Sequence, residues 1–329
     1  MKAAVTGATG CLGKPLVDRL IADGVYLKCL ALPNDVRLSY PAKKIEIITG
    51  HVNSPDAMEL LCRDCDFVFH LAGMVHSIPG TREEEKEFFR VNVEGTRNLL
   101  EFAKKNRIKR VVFYSTVGVY GKYADFHGDE LSPCKPHSVY AKSKYQAEQL
   151  VLNSSNDGGP EGVVLRFPVV YGALDRGNVA ALIKAVKKKQ FFYFGDGDCL
   201  KSMISSRNAA EVAIRASIEP AAADEVFCVT DGQDYTMSEF VDCICRALGT
   251  IWRPYHVPVL LADLAGSCGD VLRKWAHVPF PIDSDRVRKL SRPLTFSCEK
   301  AKRVLEYEAV ETLEEGIKKE VGWLKKKDG

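Results

Sequence analysis

The chain has 329 residues, enough for one large or two small domains with a substantial core. Hydrophobic residues make up 46% and charged residues 27%, the balance of an ordinary soluble enzyme, and a net charge of +3 gives no case for binding nucleic acid or an anionic membrane. The seven histidines show no metal-ligand spacing, and the eleven scattered cysteines, with Cys62 and Cys65 an isolated CxxC, read as small apolar residues of a reducing cytoplasm.

Residues 2–6 form an apolar run that predicts a strand, and because it starts at once no signal peptide is expected. Gly7, Gly10 and Gly13 follow. Leu12, Leu16 and Leu20, with Val17 and Ile21, then recur at helical spacing up to Asp23-Gly24. Residues 26–32 predict a second strand, ended by Pro33-Asn34-Asp35, and 45–49 a third. Ser54-Pro55-Asp56 looks like a cap opening a helix through Leu61. A fourth strand is expected over 66–72 with Gly73 behind it, and a helix over 91–105, where Val91, Leu99, Phe102 and Ala103 share a register. A fifth strand over 110–115, a helix over 138–152 and a sixth strand over 162–167 complete the alternation. Continuously apolar strands alternating with helices predict an α/β fold with a parallel sheet covered on both faces.

After Phe167 the regularity fails, and short elements, loops and prolines (Pro254, Pro258, Pro279, Pro281) dominate. Residues 168–329 are expected to form mostly a smaller substrate-binding lobe, with segments near 202–217 and 225–229 returning to the main sheet. The longest apolar stretch, 257–272, is broken by Asp263 and Asp270 and is too short to span a bilayer; it predicts a buried or amphipathic helix. The runs Glu83–Glu85 and Lys325–Lys327 read as solvated faces.

The order strand, Gly7-x-x-Gly10-x-x-Gly13, helix has a physical logic. The first glycine makes the turn, the second lets backbone approach a pyrophosphate, and the third lets helix pack on strand. The helix N-terminus then offers free N–H groups to the phosphates. The expectation is a Rossmann-type doubly wound sheet, with a dinucleotide-binding domain over 1–167.

Further motifs follow in order. His70-Leu71-Ala72-Gly73 ends the fourth strand, Asn92-Val93-Glu94-Gly95-Thr96 opens a helix, and the segment from Tyr114 to Gly121 reads YSTVGVYG. Tyr140-Ala-Lys-Ser-Lys144 is a YxxxK, Leu165 to Gly172 reads LRFPVVYG, and Gly195-Asp196-Gly197 and a helix over 313–323 come late. Together these resemble the extended short-chain dehydrogenase/reductase superfamily, within it the NAD-dependent epimerase/dehydratase (nucleotide-sugar epimerase/reductase) family, over essentially the full length. The resemblance implies cofactor contacts at Gly7, Thr9, Gly10, Cys11, Leu12, Gly13, Val52, Leu71, Ala72, Gly73, Asn92, Ser115, Tyr140, Lys144, Pro168 and Val170. It implies Thr116, Tyr140 and Lys144 as catalytic residues, with Ser115 a secondary candidate. It also implies a cytoplasmic homodimer built on the helices at 91–105 and 138–152, whose stripes include Leu99, Ala103, Ala147 and Leu150.

Tyr140 and Lys144 stand at i and i+4, on one helix face. A free tyrosine ionises near pH ~10, and a nearby ammonium and an oxidised nicotinamide are expected to lower that value. Tyr140 then takes the proton of a substrate hydroxyl as hydride leaves, and returns it to a carbonyl oxygen in reverse, while the Thr116 hydroxyl holds the substrate oxygen. Ala31-Leu32 stands where NAD-preferring members often carry an acid, Gly50-His51 replaces a common Gly-Asp, and Lys28 and Arg37 are the nearest candidates for a 2′-phosphate. NAD is the expected cofactor, with NADP as the alternative. Val169 replaces an asparagine of many epimerases, which weakens the epimerase case and is more like 4-keto-reductases or 3β-hydroxysteroid-type dehydrogenases; epimerase and 4-keto-reductase remain as near-equal expectations. Asn178, Lys201, Arg207 and the group Arg286-Val-Arg288-Lys289 are candidate contacts to a substrate diphosphate. The expected partner is a nucleotide sugar, at whose secondary alcohol or ketone hydride moves. The alternatives are a hydrophobic alcohol or ketone (3β-hydroxysteroid-like) and a non-catalytic cofactor-binding protein, against which the intact Thr116, Tyr140 and Lys144 argue.

Overall fold

The computed structural model describes residues 1–33, 35, 40, 44–75, 79–121, 126–276 and 284–328, with 268–276, 286 and 328 described in backbone only. The first half alternates as β1 (Lys2–Thr6), α1 (Gly13–Ala22), β2 (Tyr26–Ala31), β3 (Ile45–Thr49), α2 (Pro55–Cys62), β4 (Phe67–His70), α3 (Arg82–Phe89), α4 (Gly95–Lys105) and β5 (Arg110–Thr116). Next come β6 (Phe126–Gly128), α5 (Val139–Leu152), β7 (Glu161–Phe167), β8 (Val169–Tyr171), α6 (Asn178–Lys187), β9 (Phe192–Phe194), β10 (Leu200–Ser205) and α7 (Ser206–Ile218). The chain ends through β11 (Val226–Cys228), β12 (Asp234–Thr236), α8 (Met237–Leu248), β13 (Tyr255–Val257), α9 (Val259–Ala276), α10 (Ser284–Ser291), β14 (Leu294–Phe296), α11 (Glu299–Leu305) and α12 (Leu313–Asp328).

Among the described residues, seven strands form one sheet in the order β11-β7-β5-β4-β1-β2-β3, and each neighbouring pair is parallel. The order reverses between β1 and β4, so their carboxyl ends frame a crevice where an open α/β sheet binds ligands. One face is covered by α1, α7 and α11, which bury Leu16, Leu20, Val212, Ala213 and Leu305 with the strand residues Val5, Val112 and Leu165. The other is covered by α2, α4 and α5, through Met58, Leu61, Leu99, Ala103, Ala147 and Val151. The predicted cap is present: the Ser54 side chain accepts the Ala57 N–H, with Pro55 in the first turn.

Three differences from the sequence expectations have local causes. The helix expected over 91–105 begins earlier, as α3 with a Thr81–Glu84 capping box, and a π-turn over Arg90–Glu94 joins it to α4. The return to the main sheet is made by β11 and by α7 packing on α1, whereas β10 pairs with β8, β12 and β14 in a second sheet. The second lobe holds many three-residue strands that hydrophobic periodicity does not reveal; its core lies among α6, α8 and α12, with Ile183, Phe240, Val241, Ile244, Ile317 and Val321. Leu99, Ala103 and Ala147 are fully buried within the chain's own core and Leu150 is half-buried, so the stripes expected at a subunit interface are largely used against the chain's own sheet.

Candidate active site

The glycine loop bridges β1 and α1. Gly7 has φ +72°, and a Cβ there would lie 2.8 Å from the Ala72 nitrogen, so the turn is pressed against the end of β4. A Cβ on Gly13 would lie 2.2 Å from the Gly7 oxygen, which is how closely α1 packs on the loop. Gly10 is different: a Cβ there meets only the Gly7 oxygen, at 3.6 Å. The space above Gly10 is open. Leu12, at the N-cap of α1, makes no side-chain cap, and the first turn carries no acid, so no side chain of the loop neutralises the positive end of the helix, although the Lys14 N–H is bonded to the Gly10 carbonyl at 3.0 Å. The Cys11 thiol donates to the Gly172 oxygen at 3.8 Å, joining this loop to the end of β8 and the Pro168–Val170 segment; burial and the carboxylates of Asp175 and Glu320 push that thiol far up.

A buried polar chain holds the next strand ends in place. The Thr6 hydroxyl accepts the N–H groups of Leu71 (3.2 Å) and Ala72 (3.0 Å) and lies 2.7 Å from His70 Nδ1. His70 Nε2 lies 2.9 Å from the Thr96 hydroxyl, which donates to the Asn92 carbonyl. Since Thr6 accepts twice, its proton goes to Nδ1, and the ring's own proton sits on Nε2. Burial, with the Lys144 charge adding, holds His70 neutral down to about 3.

Asn92 lies in the π-turn, a device that turns one side chain inward at functional sites. Its Oδ1 accepts from Met74 N (2.7 Å), and its Nδ2 donates to the Met74 carbonyl and to Ser143 Oγ (2.9 Å). Ser143 in turn donates to the Tyr140 carbonyl at 2.8 Å. Asn92 thus clamps the segment after Gly73 to the helical turn between Tyr140 and Lys144. A Cβ on Gly73 would lie 3.1 Å from Asn92 Oδ1 and 3.9 Å from Lys144 Nζ, which brings these three together.

Lys144 is buried, with Nζ 3.8 Å above the centre of the Phe113 ring, and burial lowers it to about 7. Among the described residues, no hydrogen-bond acceptor meets this Nζ. Without the nicotinamide's charge, burial pushes the Tyr140 phenol up to about 12. The cause is that the phenol loses water while its i+4 lysine is itself desolvated. Thr116, at the end of β5, accepts the Gly118 N–H at 3.1 Å, and the Gly118 turn packs on Ala141, next to Tyr140. Ser115 points elsewhere. It donates to buried Glu148, which is held by Arg166 (2.7 Å) in a pair that Tyr120 extends.

Other expected contacts are scattered. Val52 is buried against Gly95, and its carbonyl accepts from Asn98. Asn178 is exposed at the start of α6, and Arg207 is exposed on α7, its charge felt by Glu315. Lys201 is buried and donates to the Arg292 carbonyl, so its ammonium is already engaged. Arg286 lies on α10, its side chain outside the described residues, as are Arg37 and residues 277–283.

Sequence reasoning overlooked three groups. Asp35 receives the Thr9 hydroxyl at 2.9 Å at the edge of the glycine loop. It lies a few residues beyond Ala31-Leu32, so its distance from Gly13 was the available signal. Asn53 Oδ1 is buried without a hydrogen-bond partner beside Val52 and Gly95. Glu320 Oε2 accepts the Gly172 N–H at 2.8 Å, while burial, with Asp175's charge adding, raises this acid to about 8. The open Gly10, the uncapped α1, the unpaired Asn53 oxygen and the Lys144 ammonium are the donors, acceptors and space that a dinucleotide requires.

The comparisons with known proteins agree. The chain is 30% identical over 323 residues (96% of it, 95% of the relative) to the 4-hydroxy-2-methyl-3-oxo-4-farnesyl-3,4-dihydroquinoline-1-oxide ketoreductase of Stigmatella aurantiaca. It is 31% identical over 296 residues (89% and 86%) to the N-acetyl-alpha-D-glucosaminyl-diphospho-ditrans,octacis-undecaprenol 4-epimerase of Escherichia coli O157:H7. Its fold superposes on the UDP-glucuronic acid 4-epimerase of Bacillus cereus in complex with NAD, with a TM-score of 0.78 at 20% identity and all of both chains covered. The model of the NAD dependent epimerase/dehydratase family matches residues 3–229, and the protein belongs to that family, whose cofactor is NAD.

Proposed function

We propose that the protein is an NAD-dependent oxidoreductase that moves a hydride at a secondary alcohol or ketone of a diphosphate-linked sugar, a nucleotide sugar being the simplest form. The carrying observation is the Asn92–Ser143–Tyr140 clamp, which holds the YxxxK turn against Gly73, beside an uncapped glycine loop. The two curated relatives support hydride chemistry at a carbonyl or carbinol carbon, and one of them acts on a diphospho-sugar.

Each residue has a part. The nicotinamide of NAD supplies the hydride acceptor or donor. With NAD bound, the N–H groups of α1 and the open face of Gly10 would hold the diphosphate, Asp35 would meet the adenosine ribose, and Asn53 would stand on the adenine side. Lys144 would hold the second ribose and place positive charge beneath Tyr140. Tyr140 carries the proton: as a neutral phenol it protonates a ketone oxygen, and as phenolate it takes the proton of an alcohol. Because the Thr116 oxygen already accepts from Gly118, its own O–H is free to donate to the substrate oxygen.

One observation favours a second reading, a ketoreductase of an apolar substrate. Lys201, a candidate contact to a diphosphate, is spent on a backbone carbonyl, and Val169, which stands where many epimerases carry an asparagine, is more than a third exposed. The test is incubation of the enzyme with UDP-sugars, a polyprenyl-diphospho-sugar and hydrophobic β-keto compounds, following reduced nicotinamide and product stereochemistry. Isomerisation without net cofactor change identifies an epimerase, and stoichiometric oxidation of NADH a reductase. Tyr140→Phe should keep NAD binding but lose about 10²–10⁴-fold in turnover. Turnover near wild type would remove Tyr140 from the site.

A further inference from the structure

The second lobe exposes an apolar edge that the hydride chemistry does not use. Strands β9 and β13 form a two-stranded parallel ribbon in which Phe192 and Tyr255 are register partners. Both face solvent, at 45% and 72% exposure, while Tyr193, on the opposite face, is buried. Ile251, four residues before Tyr255, is fully exposed. Helix α9 leaves the ribbon at Val259, whose Cγ2 would lie 3.1 Å from a Cβ on Gly195. Its first turns turn Ala262 inward and present Leu260, Leu261 and Leu264 outward at 79%, 58% and 64% exposure. These three positions lie within one side of the helix, with Asp263 on its flank. Scattered surface leucines are ordinary, but five large apolar side chains on one ribbon and the helix that continues it, with Ile251 just before them, are not.

Charge stands beside them. Lys188 and Lys189 follow the end of α6 and lead, within three residues, into Phe192; Arg253 lies between Ile251 and Tyr255. All three are exposed and, among the described residues, form no ion pair. The exposed carboxylates Asp196 and Asp198 follow the other end of β9. The cations therefore stand at the start of the parallel ribbon, beside Phe192 and Tyr255, and the carboxylates at its far end, where α9 begins.

We infer that this edge of the second lobe docks onto an anionic bilayer surface, with the leucines, Phe192 and Tyr255 entering the headgroup boundary and the three cations meeting acidic lipid. Lysine is depleted from protein–protein interfaces, whereas cations beside aromatic and leucine side chains are what an interfacial anchor uses. Among the described residues no helix is long and apolar enough to cross a membrane, so the edge lies on the bilayer rather than in it. A bilayer-docked enzyme would meet substrates that carry a lipid, but the docking itself does not depend on which sugar or ketone is turned over.

The test is cosedimentation of the whole protein with vesicles of phosphatidylglycerol and phosphatidylethanolamine, against vesicles of phosphatidylcholine alone. Wild type should pellet with the acidic vesicles, and salt should weaken this. The Leu260→Asp/Leu264→Asp variant should lose at least about tenfold in partitioning, from the apolar area of two leucines. Lys188→Glu/Lys189→Glu should lose the preference for acidic lipid. NAD titration by calorimetry should be unchanged in both variants, which separates folding and the dinucleotide site from docking. Wild type that ignores both kinds of vesicle, or pellets equally with and without the leucines, overturns the inference. So does a dimer, seen by light scattering, that the leucine variant dissolves, since the edge is then a contact between copies.

Discussion

The Lys144 ammonium lies 3.8 Å above the centre of the Phe113 ring, buried beneath the YxxxK turn. Its value in the folded chain falls to about 7 through desolvation, which Glu148 only partly offsets. An unfolded lysine keeps its proton to about 10.4. Between these limits the unfolded chain binds one more proton than the folded chain, so this group makes stability rise with pH. Below pH 7 the burial penalty is present in full. Lys144→Met should therefore stabilise the NAD-free protein at pH 6 by about 1–3 kcal/mol, with the advantage vanishing towards pH 10. Urea titrations at the two pH values check this. With saturating NAD the ranking should reverse, because wild type gains a ligand contact that Met cannot make. A variant that is uniformly less stable would mean that the ammonium is well solvated or paired.

The glycine loop separates binding from folding. Above Gly10 there is open space, whereas at Gly13 a Cβ would strike the Gly7 oxygen at 2.2 Å. Gly10→Val should melt within a few degrees of wild type and lose measurable NAD binding, since its side chain takes the space of the diphosphate. Gly13→Ala should destabilise by about 1–3 kcal/mol, as overpacking does, and weaken NAD binding only through that strain. Paired thermal melts and calorimetric titrations distinguish the two. If Gly10→Val bound NAD normally, the diphosphate would have to lie elsewhere.

What the sequence made legible was local. Strands β1 to β5 and the helices α1, α2 and α4 follow from apolar runs, caps and turn residues within ten or so positions. The loop Gly7–Gly13 and the Tyr140–Lys144 pair are likewise short-range patterns. What escaped depends on distant partners. Ser115 binds Glu148, 33 positions away, and Lys201 reaches the Arg292 carbonyl, 91 positions away. No periodicity announces either. The upward shift of Tyr140 escaped because burial is a property of the packed lobe, not of the helix face. The π-turn that aims Asn92 inward inserts a residue into an otherwise helical spacing, which hides it from a 3.6-residue pattern.

Asp35 should govern the choice between NAD and NADP. It lies 22 positions beyond Gly13, close to the spacing at which an acid meets the ribose of a dinucleotide, and the Thr9 hydroxyl fixes its carboxylate at 2.9 Å. A 2′-phosphate would bring like charge to that carboxylate. Asp35→Ala should lower the preference for NAD over NADP on the order of tenfold, about 1.4 kcal/mol, chiefly by weakening NAD and relieving NADP. Dissociation constants for both cofactors, in variant and wild type, provide the measurement. An unchanged ratio would place the ribose out of Asp35's reach.

Glu320 couples the C-terminal helix to the loop beside the site. Its Oε2 accepts the Gly172 N–H, and Gly172 in turn accepts the Cys11 thiol of the glycine loop. Its other oxygen, Oε1, is buried, and burial, with the charge and hydrogen bonding of Asp175 adding, raises the acid to about 8. An unfolded glutamate ionises near pH ~4.3. Between the two values the folded chain holds one more proton, so this group makes stability fall as pH rises, and above pH 8 the penalty is complete. Glu320→Gln keeps an acceptor for Gly172 and gains an amide that can donate towards Asp175. It should match wild type near pH 5 and exceed it by about 1–3 kcal/mol at pH 9. Urea unfolding at both pH values decides the matter. A difference that is the same at pH 5 and pH 9 would show that Glu320 is ionised throughout, held by a charge or solvent path rather than by its own proton.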